Sequence, residues 1–238
     1  MSHTFIFYLN PENISGEKVA FSRAESHHIG VLRLGSGCEI EAMDGRGRGY
    51  LIRLETKYDR IWQGVILDSR VVEAEAPVSV WLALPCLKGD RWESALEAAC
   101  EIGIAGIWLT DYHNSAVSWT LSRRDKSRRK AIEALKQSGG YRLTAIAGPV
   151  TLTDLLKKSA GQNLYLADGE GLALSEIIVP ALILVGPEAG LHPEERELLR
   201  AANFHSFSLG PRRLRAEVAS LAALAQASLK LSSQPKGD

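Results

Sequence analysis

Three short glycine-bearing segments hold most of the chemistry on offer in this 238-residue sequence: LADGEG (Leu166–Gly171), VGPEAG (Val185–Gly190) and LGPRRLR (Leu209–Arg215). Each follows an apolar run with the composition of a buried strand. In open α/β sheets ligands sit beyond the C-terminal ends of the strands. Glycine there lets the backbone approach a ligand or take positive φ. One such junction is an ordinary turn. Three of them within a single stretch of chain, two being Gly-Pro, predict a nucleotide-sized site.

The middle segment restricts the nucleotide. In ALILVGPEAGLHPEERELLR (Ala181–Arg200) a helix is expected from Pro193, with Glu194, Glu195 and Glu197 in its first turns. Those carboxylates already complement the helix dipole, and Pro187 and Pro193 remove two backbone donors. A phosphate arriving at this helix end would also meet Glu188 and Glu194. The loop suits an adenosine read through backbone groups and ribose hydroxyls, or a cationic ligand. Neither GxGxxG nor GxxxxGK[ST] occurs, which argues against NAD and ATP. S-adenosylmethionine fits, being an adenosine that bears a sulfonium and no phosphate.

Other chemistry is poorly served. His27 and His28 are adjacent, point apart on a helix and have no partner at metal spacing, so a structural or RNA-facing role is expected and no metal site. There is no GxSxG elbow. Trp81, Trp92 and Trp108 are expected in a core or interface, whereas Trp119, beside a basic segment, stays open for base stacking. Cys38, Cys86 and Cys100 form neither a CxxC nor a disulfide framework, as in a reducing cytosol.

The elements that must position these loops change character along the chain. Phe5–Leu9, Cys38–Met43, Gly49–Glu55 and Ile61–Leu67 read as short strands, with DGRGRG (Asp44–Gly49) as a hairpin turn between the middle two. A small β-barrel is expected. It carries a helix near residues 22–34, with Ser22 as N-cap and Glu25 completing a capping box. After a linker at Glu73–Pro77, strands and helices alternate through to the long apolar helical run near the end, which implies a mostly parallel sheet covered on both faces. The expected division is residues 1–73 and 78–238, with a disordered tail at Ser232–Asp238.

Formal net charge is zero, so the charge of the chain as a whole gives no reason to expect a nucleic-acid partner. The charge is unevenly spread, however. Ser122–Lys136 carries seven Lys/Arg against two acids, and Gly210–Arg215 three arginines and no acid. Such patches make phosphate contact plausible. No apolar run approaches the roughly 18 residues of a membrane span, and no secretory signal pattern opens the sequence. A cytoplasmic protein is expected.

LVGPEAGLHPEE followed by LGPRRLRAEVASLAAL resembles the paired C-terminal motifs of the RsmE family, ribosomal RNA small subunit methyltransferases E of the SPOUT superfamily. ESHHIGVLRLGSGCEIEAMDGRGRGY is similar to that family's PUA-like RNA-binding domain. KGDRWESALEAACEIGI and EALKQSG match its middle motifs, so the likeness covers nearly the whole chain. It implies an α/β protein with an N-terminal PUA-like small β-barrel and a C-terminal SPOUT domain with a deep trefoil knot at about residues 163–230. It also implies a homodimer through the knotted domain. The implied reaction is S-adenosylmethionine-dependent methylation of N3 of a uridine, the family's target uridine 1498, in 16S rRNA of the assembled small subunit. Departures from the family pattern are Ala189 for a second glycine, Ala216-Glu217-Val218 for Thr-Glu-Thr, Leu109 for a proline, and Asn114 for an arginine. The arginine or lysine and the proline after "QS" are not clearly kept, with Arg142 a substitute.

With that resemblance the three loops become cofactor loops: Leu166, Ala167 and Asp168; Val185, Gly186, Pro187, Glu188 and Gly190; Ser208, Leu209, Gly210 and Leu214. Uridine N3 is a poor nucleophile until its imide proton leaves, and the ring then needs a cation near its carbonyl oxygens. Arg215, at the start of the last helix, is the expected catalytic group, unless it is held in a salt bridge to Glu217 or Glu188. Glu217 is expected to orient an arginine or act as base. Arg33, Arg46, Arg48, Arg123, Arg124, Arg128, Arg142, Arg212 and Arg213 are the expected RNA contacts.

Overall fold

The computed structural model describes residues 5–72 and 78–232. The expected linker, Glu73–Pro77, lies outside the described residues, as do residues 233–238 of the expected tail. The chain divides into two compact units, Met1–Ala76 with Ile132–Leu143, and Pro77–Ala131 with Thr144–Asp238. Residues 132–143 therefore belong with the first unit, although the sequence reading groups them with the second.

The first unit holds β1 (Ile6–Tyr8), β2 (Ile14–Ser15), β3 (Lys18–Ala20), α1 (Arg23–Val31), β4 (Glu39–Met43), β5 (Arg48–Tyr58) and β6 (Ile61–Val71). They form one six-stranded sheet of order β1-β4-β5-β6-β3-β2, antiparallel except for β1 on β4. Alternation in β4 and β5 sends Ile40, Ala42, Ile52 and Leu54 inward, where they meet Phe7, Leu9, Phe21 and Ile29. The expected hairpin forms because the Asp44 carboxylate accepts the backbone N–H groups of Arg46 (2.7 Å) and Arg48 (3.1 Å), while Gly45 and Gly47 take positive φ. Ser22 caps α1 by accepting Glu25 N–H. Glu25 does not complete the box: its carboxylate accepts from Lys136 Nζ (2.7 Å) and from Tyr8 N–H. A buried carboxylate gains more from an ammonium than from one amide, so the local motif yields to a tertiary partner 111 residues away. The short β2–β3 hairpin has no strong sequence signal and is not anticipated.

The second unit follows the expected alternation. In order come β7 (Val78–Pro85), α2 (Arg91–Ile102), β8 (Ile104–Asp111), α3 (Leu121–Ser138), β9 (Ala145–Thr151), α4 (Leu152–Lys158), β10 (Asn163–Ala173), β11 (Ala181–Val185), α5 (Pro193–Ala201), β12 (His205–Ser208) and α6 (Ala216–Ser232). Helix α3 runs past Ala131, so its last turns count with the first unit. The strand order is β12-β10-β11-β7-β8-β9, parallel throughout. Strand β11 is buried at every residue, which is why ALILV is a continuous apolar run instead of an alternating one. Helix α2 ends where Gly103 adopts φ +80°, and Thr151 caps α4 by accepting Asp154 N–H. From the edge strand β12 the chain returns to the middle of the sheet, where α6 packs on α2, β7 and β11. The knotted course expected for residues 163–230 requires such a return.

Two expectations need correction. LADGEG is not a loop beyond a strand end. Strand β10 continues through it to Ala173, and its register against β12 skips from Ala167 to Leu172, both opposite Phe207, so residues 168–171 bulge out. Gly171 permits this: a Cβ there would lie 2.5 Å from the Phe207 backbone. Trp119 is not open either. It is buried, its Nε1–H donates to Leu84 O (3.2 Å), and its ring meets Trp92 edge-on. Trp81 and Trp108 pack together at 5.4 Å beside the core. A Cβ on Gly106 would lie 2.5 Å from the Trp81 ring. Gly106→Ala should therefore lower stability by about 1–3 kcal/mol through overpacking, read as a lower urea midpoint with unchanged slope.

Candidate active site

The C-terminal ends of β10 and β11 and the approach to α6 enclose a cleft of about 480 Å³, within the range of small-molecule sites. Leu166, Ala167 and Asp168 line it from β10. Val185, Gly186, Pro187, Glu188 and Gly190 line it from the β11–α5 loop, and Leu214 and Arg215 from the approach to α6. The RNA candidate Arg213 lines it as well. Ser208, Leu209 and Gly210 do not. Ser208 Oγ accepts Gly210 N–H (3.2 Å), and Gly210 sits at φ +118°, so this segment turns the chain that delivers residues 213–216. Glu217 is also outside the lining, and its Oε2 is buried without a hydrogen-bond partner among the described residues. Arg91, Gly169, Leu191, Arg196, Ala216 and Ala219 complete the wall. Sequence reasoning missed them. Gly169 and Ala216 lie within or beside quoted motifs, but nothing in spacing ties Arg91 to a loop so distant in sequence.

Ion pairs fix the rim. Arg91 is bonded to the Glu188 carboxylate, Arg213 donates to Glu188 O (2.8 Å), and Arg196 pairs with Asp168 (3.0 Å). Glu188 is thus held by Arg91 and not by Arg215. The Arg215 side chain has no hydrogen bond or ion pair among the described residues and is exposed. It is the uncompensated cation at the cleft.

The N-terminus of α5 is already capped. His192 accepts Glu194 N–H through Nδ1, and Glu195 Oε2 accepts His192 N–H (2.9 Å), which makes a reciprocal capping box. Gly190 N–H is turned onto Pro187 O (2.8 Å). With these donors engaged and Pro193 lacking one, the first turn of α5 offers a phosphate few free N–H groups. Apolar walls at Leu166, Val185 and Ala219 and backbone edges at Gly186–Glu188 suit a flat heterocycle, as the sequence predicts for an adenosine without phosphate.

The remaining arginines are dispersed. In the first unit Arg33, Arg46 and Arg48 are exposed. Arg142 pairs with Arg46 across an antiparallel bridge, donates to Arg46 O (3.4 Å) and covers Gly47. In the second unit Arg123 donates to Cys86 Sγ (2.7 Å) and Ser118 O. Arg124 lies 3.6 Å from Asp125. Arg128 and Arg212 are exposed. The basic helix is partly neutralised, because Glu93 and Glu97 of α2 take Lys126 and Lys130. The hydrogen bond from Lys126 holds the Glu93 carboxyl below the usual carboxylate range, against the opposing effect of burial. Its stabilising contribution is complete above the unfolded-state value and is lost as pH falls through the depressed native one. Wild type should therefore exceed Glu93→Gln in urea midpoint at neutral pH, and the gap should close in acid. A gap independent of pH would contradict this.

Among the described residues no helix is long and apolar enough to cross a membrane, and no group of three His, Cys, Asp or Glu is placed to hold a metal ion.

A parallel α/β sheet with a cleft at its strand ends whose helix N-terminus is already capped, and an arginine whose side chain is unpaired among the described residues, narrow the class. Residues 74–228 match the RNA methyltransferase domain model, and the chain belongs to that family. Within it the chain is a member of the RsmE group. It is 29% identical over 234 residues to the ribosomal RNA small subunit methyltransferase E of Synechocystis, covering 94% of this chain and 77% of that one. To the Rickettsia conorii protein of the same name it is 28% identical, covering 93% and 94%. Among solved structures, the Neisseria gonorrhoeae methyltransferase E bound to S-adenosylmethionine superposes with a TM-score of 0.84 at 28% identity, over 94% of this chain and 96% of that one. The Legionella pneumophila methyltransferase Lpg2936 with bound cofactor gives 0.85 at 25% identity, over the same shares.

Proposed function

We propose that this RNA methyltransferase transfers the methyl group of S-adenosylmethionine to N3 of a uridine in 16S rRNA of the small ribosomal subunit, the family's uridine 1498. The observation that carries this reading is the pairing of a cleft whose helix N-terminus is already capped with the uncompensated Arg215. Relatives of the same name that bind S-adenosylmethionine, and that are named for small-subunit rRNA, support it.

The residues present fit this cofactor. Leu166, Val185 and Ala219 would flank the adenine, and the Gly186–Glu188 backbone would read its edges. The Arg91–Glu188 and Arg196–Asp168 pairs would hold the loops around it. When bound, S-adenosylmethionine supplies an electrophilic methyl on a sulfonium whose charge is neutralised by transfer. The uridine must be unpaired or flipped to reach that methyl. As its N3 proton leaves to solvent, negative charge spreads to the ring oxygens. The Arg215 guanidinium, aimed at one of them, stabilises that charge and fixes the ring for in-line attack by N3. Glu217 lies outside the cleft wall and makes no ion pair with Arg215, so no step is assigned to it.

Arg33, Arg46, Arg48 and Arg142 on the first unit, and Arg123, Arg124, Arg128 and Arg212 on the second, would grip the RNA backbone. Arg213, engaged with Glu188 O, is reassigned to bracing the cofactor loop. Helix α6 presents Val218, Leu221 and Leu229 at 45%, 45% and 68% exposure. They recur at helical spacing on one face, as a homodimer contact would require. Such a protein works in the cytoplasm, where small subunits are.

The test is methyl transfer from radiolabelled S-adenosylmethionine to small subunits from a strain lacking the gene, followed by mass-spectrometric mapping. A methyl on uridine N3 is expected. A methyl on another base would replace the target, and none would leave a binding protein that has lost catalysis.

A further inference from the structure

The loop that forms one wall of the cleft, residues 186–192, has little of its own to hold it. It contains one internal turn, Gly190 N–H to Pro187 O, and Gly190 lies at φ +80°. Its position is imposed from outside: Arg91 and Arg213 hold Glu188, and a segment that follows β8 holds both ends of the stretch from Gly190 to His192. Glu195 Oε1 accepts His113 N–H at 2.8 Å, while Oε2 of the same carboxylate accepts His192 N–H at 2.9 Å. Asn114 Nδ2 donates to Gly190 O at 3.0 Å. The imidazoles of His113 and His192 face each other at 4.1 Å. In the sheet β8 is separated from β11 by β7, so these contacts bridge over the end of an intervening strand.

We infer that Glu195, together with Asn114, is a positioning residue for cofactor binding: it locks the 186–192 wall to the post-β8 segment and thereby sets the width of the cleft. Glu195 is only 8% exposed, and both of its oxygens are spent on backbone donors from two different loops. Charge-assisted bonds of this kind are short and strong. An ordinary capping box would use one oxygen within its own helix turn. Here the second oxygen reaches a donor 82 residues away. Asn114, where the family usually has an arginine, secures the Gly190 carbonyl at the other end of the wall. Neither side chain lines the cleft, so both act through the loop.

This inference rests on the cleft being the S-adenosylmethionine site. The experiment is calorimetric titration of full-length protein with S-adenosylmethionine, alongside thermal melting. Glu195→Gln replaces one acceptor by an NH₂ group that opposes a backbone N–H. It should weaken binding about tenfold or more, the worth of one charged hydrogen bond. Asn114→Ala keeps the helix cap and should weaken binding by a smaller factor. The double variant should lose less than the product of the two, because both hold one loop. Ile52→Ala, in the core of the first unit, none of whose residues lines the cleft, serves as a control. It should lower Tm at least as much and leave affinity unchanged. If Glu195→Gln and Asn114→Ala lower Tm yet bind like wild type, Glu195 and Asn114 are structural only and the inference fails. If wild type itself does not bind S-adenosylmethionine, the cofactor assignment fails instead.

Discussion

Replacing Arg215 by alanine is expected to reduce single-turnover methyl transfer by about 10²–10³-fold, the usual cost of losing one donor to developing negative charge. Affinity for S-adenosylmethionine should hold. The separation follows from the geometry. Arg215 lines the cleft yet its side chain has no hydrogen bond or ion pair among the described residues, so truncating it strips no support from the cofactor loops. Those loops are braced by other cations: Arg91 on the Glu188 carboxylate, Arg213 on the Glu188 carbonyl and Arg196 on Asp168. Arg215→Lys should recover part of the rate, since a point charge replaces a planar fork. Unchanged single-turnover rates in Arg215→Ala would remove it from catalysis, and a parallel loss of binding would make it a cofactor contact instead.

Gly186→Leu is expected to weaken S-adenosylmethionine binding by about 100-fold or more, roughly 3 kcal/mol of overpacking in the site. Among the described residues a Cβ at Gly186 would meet only the Leu191 side chain, at 3.4 Å (Cγ) and 3.7 Å (Cδ2). Gly186→Ala is thus tolerable, and only a longer side chain fills the space the heterocycle needs. The graded pair separates obstruction from misfolding, because both variants share a backbone that accepts a side chain. Gly210 is a different case. It does not line the cleft, nothing lies within 4 Å of its missing Cβ, and its φ of +118° is what excludes other residues. Any effect of Gly210→Ala would arise from strain that moves residues 213–216, and it should be accompanied by loss of stability. Equal calorimetric affinities for Gly186→Leu and wild type would sink the assignment of the 186–192 loop.

Much of this was legible because it is local. The parallel sheet follows from apolar runs such as ALILV, and the capped N-terminus of α5 from a proline followed by two glutamates. The hairpin follows from DGRGRG with an aspartate placed to collect its amides. What was illegible is non-local. Glu25 carries the pattern of a capping box but meets Lys136, whose chemistry outweighs an amide. DGEG has the composition of a loop, and becomes a strand with a bulge because Gly171 can lie against the Phe207 backbone. Residues 132–143 continue a helix of the second unit in sequence and pack with the first. Arg91 and Arg196 entered the cleft wall, and Ser208–Gly210 left it, for the same reason: which side chains converge is decided by the return of the chain across the sheet.

The order in which this site can come into being is also set. Strand β7 lies between β8, which follows it closely in sequence, and β11, which starts about a hundred residues later. One edge of β7 therefore stays unpaired in a growing chain long after β8 has covered the other. The cleft walls are late as well, since apart from Arg91 they run from Leu166 to Ala219, and α6, which packs on α2 and β7, follows β12 in the chain. Contacts so distant in sequence are slow to form and leave apolar edges exposed while they wait. A chain that stops short of α6 has an incomplete cleft wall, since Ala216 and Ala219 are missing from it, and competence for methyl transfer waits on the last helix.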